Sequence, residues 1–146
     1  MRRCQFLAAD EARKFVTDGV TILTHGHTLA AKRVILNAAD EGKLKRLYVT
    51  QMTDYQTQRL KNEREKLIEE LKAKGVETIE ILSRAAAYVM ERVDIVVCGA
   101  EAVVESGAVV SQLGTYSMAI AAHVHKERYL AFILQSLIET VKYLSE

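Results

Sequence analysis

The stretch “VDIVVCGAEAVVESG” at residues 93–107 decides the fold class. Its first part, “DIVVCG” at 94–99, is a short apolar run rich in β-branched residues, which predicts a buried central strand. Glu101 follows directly after Gly-Ala, at the carboxyl end of that strand. Ligands and catalytic groups collect at this end of the strands in an open α/β sheet. Glu101 is therefore a candidate pocket residue.

Similar strands recur along the chain and alternate with helical segments. The further predicted strands lie at 19–25, 44–51, 76–82 and 128–134. Helices are predicted at 10–19, 28–42, 54–75, 84–93, 112–127 and 137–144. Strands separated by helices imply βαβ units and a parallel sheet. The predicted fold is an α/β, three-layer α/β/α Rossmann-like domain with a mostly parallel sheet, formed as a single domain by residues 1–146.

The composition narrows the class of protein. The chain has 146 residues, of which 49% are hydrophobic, and its 20 basic and 19 acidic residues leave a formal net charge of +1. Such a balance lacks the basic surface of a nucleic-acid-binding domain. No apolar run approaches the roughly 20 residues that span a bilayer, and no signal peptide is recognisable. We therefore expect a soluble, cytoplasmic protein with no direct nucleic-acid or membrane partner.

Four polar segments are predicted to meet at one edge of the sheet. They are “THGHT” at 24–28, “TQMTD” at 50–54, “CGAEAVVESG” at 98–107 and “SQLGTYS” at 111–117. The Gly-Thr pair in the last segment starts a helix, where backbone N–H and hydroxyl groups bind phosphate, although plain capping is the commoner role of such a pair. The candidate ligand-pocket residues are Thr24, Gly26, His27, Thr50, Glu101, Gln112, Gly114 and Thr115.

The histidines do not indicate a metal site. His25 lies beside a buried strand and is interpreted as a structural histidine with satisfied hydrogen bonds, not as a base. His123 and His125 are two residues apart, so they do not share a helix face. Zinc spacing, a Walker loop, a G-x-G-x-x-G fingerprint and a G-x-S-x-G elbow are all missing. We predict no metal and no cofactor, and one sequence leaves a Ser-His-Asp triad open.

Several motifs together resemble one superfamily. They are “DGVTILTHG”, “LYVTQ”, “AAAYVMERVDIVVCGAEAVVESGAVVSQLGTYSMAIAAHVH” and “RYLAFI”, in that order. The superfamily holds the regulatory (alpha, beta and delta) subunits of eukaryotic translation initiation factor 2B, and isomerases of methylthioribose-1-phosphate and ribose-1,5-bisphosphate. The resemblance covers about residues 10–134, and “GAEAVVESGAVV” is most similar to the alpha subunit. It implies a match to the C-terminal domain of the family, without the helical N-terminal domain.

The resemblance also bears on catalysis. The isomerases carry an acid/base pair made of a cysteine after Thr-His and an aspartate after Gly-Ala. In this chain those positions hold Gly26 and Glu101. Proton transfer needs a donor and an acceptor that both reach the substrate. The resemblance therefore implies no catalytic residue, and the alternative is a sugar-phosphate aldose-ketose isomerase with altered residues.

The function that the resemblance implies is regulatory. The chain would be a domain of a non-catalytic subunit of the guanine-nucleotide exchange factor for translation initiation factor 2. The implied partners are the other initiation factor 2B subunits and the phosphorylated alpha subunit of initiation factor 2. The pocket would take a sugar phosphate or a nucleotide, although Gln112 stands where the family usually has lysine.

Self-association is predicted as well. The helix “YSMAIAAHV” at 116–124 is apolar almost all round, so it must be covered on more than one side. The sheet covers one side, and a second copy of the chain is the predicted cover for another, since most homo-oligomers are two-fold dimers. The first or the last helix of the same chain is the alternative cover. The candidate dimer-interface residues are Val104, Val110 and Met118.

Overall fold

The computed structural model describes residues 12–26, 28–51, 58–100, 102–104, 108–125, 128–133 and 142–143. The strands are β1 (Val20–His25), β2 (Leu44–Thr50), β3 (Glu77–Ile81), β4 (Ile95–Ala100), β5 (Ala102–Val103), β6 (Val109–Val110), β7 (Arg128–Ile133) and β8 (Lys142–Tyr143). The α-helices are α1 (Leu29–Asp40), α2 (Gln58–Ala73), α3 (Ala86–Val89) and α4 (Thr115–Val124).

The main sheet of the described residues has six strands in the order β3-β2-β1-β4-β7-β8. All neighbours pair in parallel except β8, which runs antiparallel to β7. Strands β5 and β6 form a separate antiparallel pair. The predicted α/β class with a mostly parallel sheet is confirmed, as is the central place of β4.

Helices cover both faces of the sheet. On one face the core residues of α1 and α2 pack against one side of β1, β2 and β4, because successive strand residues point to opposite faces. These helical residues are Ala30, Ala31, Val34, Ile35, Ala38, Leu67, Ile68 and Leu71. On the other face, Ala86, Val89, Met118 and Ala122 of α3 and α4 pack against Leu23, Tyr48, Val96 and Cys98.

The chain order places a crevice between β1 and β4. After β1 the chain adds β2 and β3 on one side, then returns to add β4 on the other side of β1. Such a reversal leaves an opening beyond the carboxyl ends of the two strands, where α/β proteins bind their ligands. The described residues at the carboxyl ends of β1 and β4 therefore lie where this fold provides room for a ligand.

Local sequence signals set the helix ends. Thr28 caps α1, because its Oγ1 accepts a hydrogen bond of 3.2 Å from the Ala31 N–H. Glycines that adopt φ angles of 68° and 77°, Gly42 and Gly75, follow α1 and α2 as predicted. Among the described residues, no helix is both long and apolar enough to cross a membrane.

The helix predicted at 84–93 is broken into shorter pieces. Only Ala86–Val89 is α-helical, and 3₁₀ turns flank it at Ser83–Ala85 and Met90–Arg92. This connection runs from the edge strand β3 past two strands to β4. A 3₁₀ turn rises about 2.0 Å per residue against about 1.5 Å in an α-helix, so it spans that distance with fewer residues.

Both terminal helices differ from the prediction in their described parts. The helix predicted at 137–144 is wrong at Lys142–Tyr143, which form β8; the rest of that segment lies outside the described residues. Pairing with β7 satisfies backbone groups that a helix would leave exposed on that strand. At the other end, Ala12 is α-helical as predicted, but a 3₁₀ turn follows at Arg13–Phe15, and Val16 packs into the core.

Candidate functional site

His25 joins three parts of the chain at the carboxyl edge of the sheet. Its Nδ1 lies 2.8 Å from the hydroxyl oxygen of Thr50, at the end of β2. Its Nε2 lies 2.8 Å from the carbonyl oxygen of Leu113, in the segment before α4. We call residues 111–114 the strap. The interpretation of His25 as a structural histidine with satisfied hydrogen bonds is confirmed, because both ring nitrogens have a partner.

The partners of His25 determine where its proton lies. A carbonyl oxygen can only accept, so Nε2 carries the hydrogen that is donated to Leu113. Burial of the ring lowers the pKa of His25, and the Leu113 carbonyl opposes that shift more weakly. The ring is therefore neutral at pH 7, its Nδ1 is an acceptor, and the Thr50 hydroxyl donates to it.

A second set of bonds fastens the strap to β4. The Ser111 hydroxyl donates to the carbonyl oxygen of Gly99 over 2.6 Å. Ser111 Oγ also lies 3.1 Å from the hydroxyl oxygen of Thr115, the first residue of α4. Because the single hydroxyl hydrogen of Ser111 is already engaged by Gly99, Thr115 is the donor in this contact.

Two glycines allow the strap to approach β1 closely. Gly26 has a φ of 73°, and a Cβ built on it would lie 3.0 Å from the side-chain oxygen of Gln112. Gly114 has a φ of 101°, and a Cβ there would lie 3.2 Å from Nε2 of His25. Both conformations favour glycine, which has no Cβ to clash with its own backbone.

A third glycine, Gly99 in β4, is in close contact with the helix cap. A Cβ on Gly99 would lie 1.9 Å from Cγ2 and 2.3 Å from Oγ1 of Thr28. The Thr28 side chain thus occupies the space of the missing side chain, and the start of α1 lies directly on β4. Glycine within a strand often marks such a close approach, which is the signal that could have revealed this contact.

The structure brings most of the candidate pocket residues together, but not all. Gly26, Gln112, Gly114 and Thr115 lie around the strap, and Thr50 reaches it through His25. Thr24 does not join them, because it alternates with His25 and therefore points to the α1 side of the sheet. His27 and Glu101 lie outside the described residues.

Thr24 has a further distinguishing property. It is 2% exposed, and its hydroxyl oxygen makes no hydrogen bond within the described part of the chain. A buried hydroxyl without a partner is unfavourable by about 1–3 kcal/mol. The sequence prediction of Thr24 as a pocket residue relied only on its place at the strand end, which does not specify the face of the sheet.

The hydrogen-bond donors that the site offers are mainly backbone groups. The hydroxyl hydrogens of Thr50 and Thr115 are engaged by His25 and Ser111, so each oxygen offers only lone pairs to a ligand. Gly114 precedes α4 and has no side chain to cap it. The Tyr116 N–H in the first turn lacks an intrahelical partner. An anion would be bound mainly by this helix end.

An exposed apolar row follows the strap along α4. Its residues are Leu113, Tyr116, Ile120 and Val124, with exposed fractions of 99%, 78%, 48% and 71%. Tyr116, Ile120 and Val124 are four residues apart, so they lie on one side of α4, and Leu113 precedes the helix in the strap. We call this row the α4 face. Contiguous exposed apolar surface of this kind marks interaction sites.

The candidate dimer residues divide between surface and core. Val104 and Val110 are each 45% exposed. Met118 is 2% exposed and packs in the core between α4 and the sheet, so its own chain already covers it and its prediction as an interface residue is corrected. The sequence periodicity of α4 could not show which of its residues are buried and which are exposed, because the helix is apolar on almost all sides.

The described residues hold no group of three or more His, Cys, Asp or Glu side chains that could bind a metal ion.

Sequence reasoning did not identify Ser111 as the residue that bonds the strap to β4, or His25 as the link to Leu113. Serine and histidine are common in loops, and neither has a local pattern that reveals a partner many residues away.

Comparison with known proteins gives a consistent family. The family model described as “Initiation factor 2 subunit family” matches residues 2–133. The chain is 33% identical over 135 residues to translation initiation factor eIF2B subunit alpha of Caenorhabditis elegans. This alignment covers 92% of this chain and 41% of that protein. It is 34% identical over 113 residues to ribose 1,5-bisphosphate isomerase of Pyrococcus furiosus, covering 77% of this chain and 33% of that protein.

A solved structure shows the same fold. The crystal structure of the Pyrococcus horikoshii translation initiation factor eIF-2B superposes with a TM-score of 0.75 at 22% identity, covering 96% of this chain and 55% of that one. At this identity the similarity supports the fold alone. The chain spans less than half the length of either curated relative that it matches.

Proposed function

We propose a function from one premise: this chain belongs to the initiation factor 2 subunit family. In this proposal it is a non-catalytic domain of a regulatory subunit, of the alpha type, in the cytoplasmic exchange factor for translation initiation factor 2. Residues 1–146 are taken as one domain of that subunit. The similarity to an eIF2B alpha subunit over 92% of the chain supports this assignment.

The observation that carries the non-catalytic assignment is the geometry of Gly26. The isomerase relatives are expected to need an acid/base group at this position, and glycine has none. A side chain here would meet the Gln112 oxygen at 3.0 Å, in a backbone conformation with a φ of 73°. The position therefore disfavours any replacement for the missing group.

The partners follow from the same assignment. They are the other initiation factor 2B subunits and the phosphorylated alpha subunit of initiation factor 2. Affinity purification of the tagged chain from cells of its source, followed by mass spectrometry, tests this proposal. We expect recovery of the other subunits in stoichiometric amounts. The control variant Asn62→Asp, changed on α2 on the side of the sheet opposite to α4, should recover them equally. Failure to recover any of them would overturn it.

A homodimer is part of the proposal. The α4 face, together with the half-exposed Val104 and Val110, offers apolar surface that a second copy would cover. Sedimentation equilibrium at micromolar concentration tests this. We expect a mass of twice the 16.4 kDa chain, and a concentration-independent monomer would contradict it.

The alternative function is a sugar-phosphate isomerase with altered residues. The observation that favours it is the 34% identity to a ribose 1,5-bisphosphate isomerase over 77% of this chain. Incubation with ribose-1,5-bisphosphate and with methylthioribose-1-phosphate separates the two functions. We expect no conversion above the uncatalysed rate, and turnover that is lost on denaturing the protein would favour the enzyme.

The pocket ligand in this proposal is a sugar phosphate or a nucleotide. The uncapped start of α4 beside the strap supports an anionic group at this place. A ligand that binds only the folded chain raises the melting temperature, so a thermal-shift screen with sugar phosphates and nucleoside monophosphates tests it. No shift at millimolar concentration would exclude these ligands.

A further inference from the structure

His25 and Leu113 connect two surfaces of the molecule, the crevice and the α4 face. The carbonyl oxygen of Leu113 accepts a hydrogen bond from His25 inside the crevice. The Leu113 side chain is 99% exposed and begins the α4 face. One residue therefore belongs to the candidate pocket through its backbone and to the apolar surface through its side chain.

We propose that His25 is a positioning residue that holds the strap in place and thereby links the crevice to the α4 face. It acts through Leu113, and Thr50 fixes the ring by donating to Nδ1. The proposal rests on the proposed function only in taking a second copy as the cover of the α4 face.

The contacts around the strap favour His25 as the controlling group. The Ser111 bonds reach β4 and α4, but they hold the beginning of the strap. His25 holds its end, next to Gly114, which approaches the ring so closely that a Cβ would lie 3.2 Å from Nε2. The ring is 6% exposed and its Nδ1 is bonded to Thr50, so its position is determined by β1 and β2 and not by solvent.

Two substitutions distinguish the hydrogen bond from His25 to Leu113 from the other contacts of the His25 ring. The amide nitrogen of His25→Gln can reach the place of Nε2 and donate to Leu113, whereas that of His25→Asn reaches only the place of Nδ1. The reporter amides are those of Thr115 and Met118, which donate to Gln112 and Gly114 in the strap. The amide of Lys32, which donates to Thr28 at the start of α1, is the internal control.

Hydrogen exchange measured residue by residue in the full chain tests the proposal. We expect His25→Asn to raise exchange at the two reporter amides about tenfold, equivalent to about 1.4 kcal/mol of local opening, with no change at the control amide. His25→Gln should stay within about threefold of the wild type. Reporter exchange within about twofold of the wild type in His25→Asn would overturn the proposal.

A measurement on the unmodified chain covers the case in which His25→Asn does not fold. Nitrogen-15 NMR of the imidazole distinguishes the two neutral tautomers. We expect the hydrogen on Nε2 and slow exchange of that hydrogen with water, since it is donated to a buried carbonyl. A hydrogen on Nδ1 would overturn the proposal, because Nε2 could then not donate to Leu113.

The link to the α4 face has its own readout. If a dimer forms, His25→Asn should weaken its association at least about fivefold, and His25→Gln should restore it. An equally tight dimer in His25→Asn would overturn the link. A wild-type chain that is monomeric would instead contradict the proposed homodimer, and the exchange and tautomer measurements would still decide the role of His25.

Discussion

The side-chain oxygen of Gln112 lies 3.0 Å from the place that a Cβ on Gly26 would occupy. Gly26 directly follows β1, and Gln112 belongs to the strap 86 residues later (112 − 26). A side chain at position 26 would contact Gln112, so each residue restricts what can stand at the other position. Their relation can be measured as an interaction free energy.

The first prediction concerns this pair. Gly26→Ala should lower the free energy of unfolding by about 1–2 kcal/mol for its left-handed backbone, and by about 0.5 kcal/mol more for contact with Gln112. Gly19→Ala is the matched control, because Gly19 has a φ of 76° but open space around it. Urea unfolding of both variants, alone and with Gln112→Ala, gives the interaction. Equal losses in both glycine variants, unaffected by Gln112→Ala, would show that the contact is unimportant.

The second prediction concerns the contact between β4 and α1. Gly99→Ala should destabilise the chain by about 3 kcal/mol or more, because its Cβ would overlap Thr28 and displace the helix cap. Adding Thr28→Gly should recover a large part of this loss, since glycine is tolerated at the cap. Thermal unfolding of the single and double variants measures it. A double variant as unstable as Gly99→Ala would point to another cause.

The third prediction concerns pH. Burial lowers the pKa of His25 below the ordinary value of 6.5 that it regains on unfolding. The unfolded chain therefore binds a proton before the folded chain does, and stability present above 6.5 is lost as the pH falls toward the folded pKa. Urea unfolding at several pH values should show this loss in the wild type and a flatter profile in His25→Gln. Parallel profiles would mean that His25 does not contribute.

The fourth prediction concerns self-association. Val110→Asp should weaken the proposed dimer at least about tenfold, because a carboxylate would be buried in an apolar contact. The melting temperature of the isolated chain should hardly change, since Val110 is 45% exposed. Asn62→Asp on α2 adds the same charge on the opposite face of the sheet and should leave the dimer intact. Sedimentation of both variants makes the comparison, and an unchanged mass for Val110→Asp would place the interface elsewhere.

The sequence predicted the elements that depend on local patterns. The apolar runs gave the strands of the central sheet, and glycines after α1 and α2 gave the helix ends, because a positive φ is needed there. The alternation of strands and helices gave the parallel sheet, since a crossover connection forces that arrangement. At Lys142–Tyr143 the local pattern predicted a helix, but pairing with β7 makes this segment a strand.

For the candidate site too, local sequence patterns predicted only part of the arrangement. The prediction that the strand ends converge identified Gly26, Gln112 and Thr115 as neighbours, because parallel strands end at one edge. It placed Thr24 with them although that side chain points to the other face of the sheet. Position along the chain gives the edge of the sheet, but the face depends on the register of each strand.

Sequence alone therefore determined the fold class, the family resemblance and the edge of the sheet that carries the site. Tertiary structure alone decided that His25 bonds Thr50 and Leu113, which lie 25 and 88 residues away, since no local pattern encodes so distant a contact. It also decided the orientation of α4. That helix is apolar on almost all sides, so its sequence does not show which side faces the sheet. Packing against the sheet buries Met118 and leaves Tyr116, Ile120 and Val124 exposed.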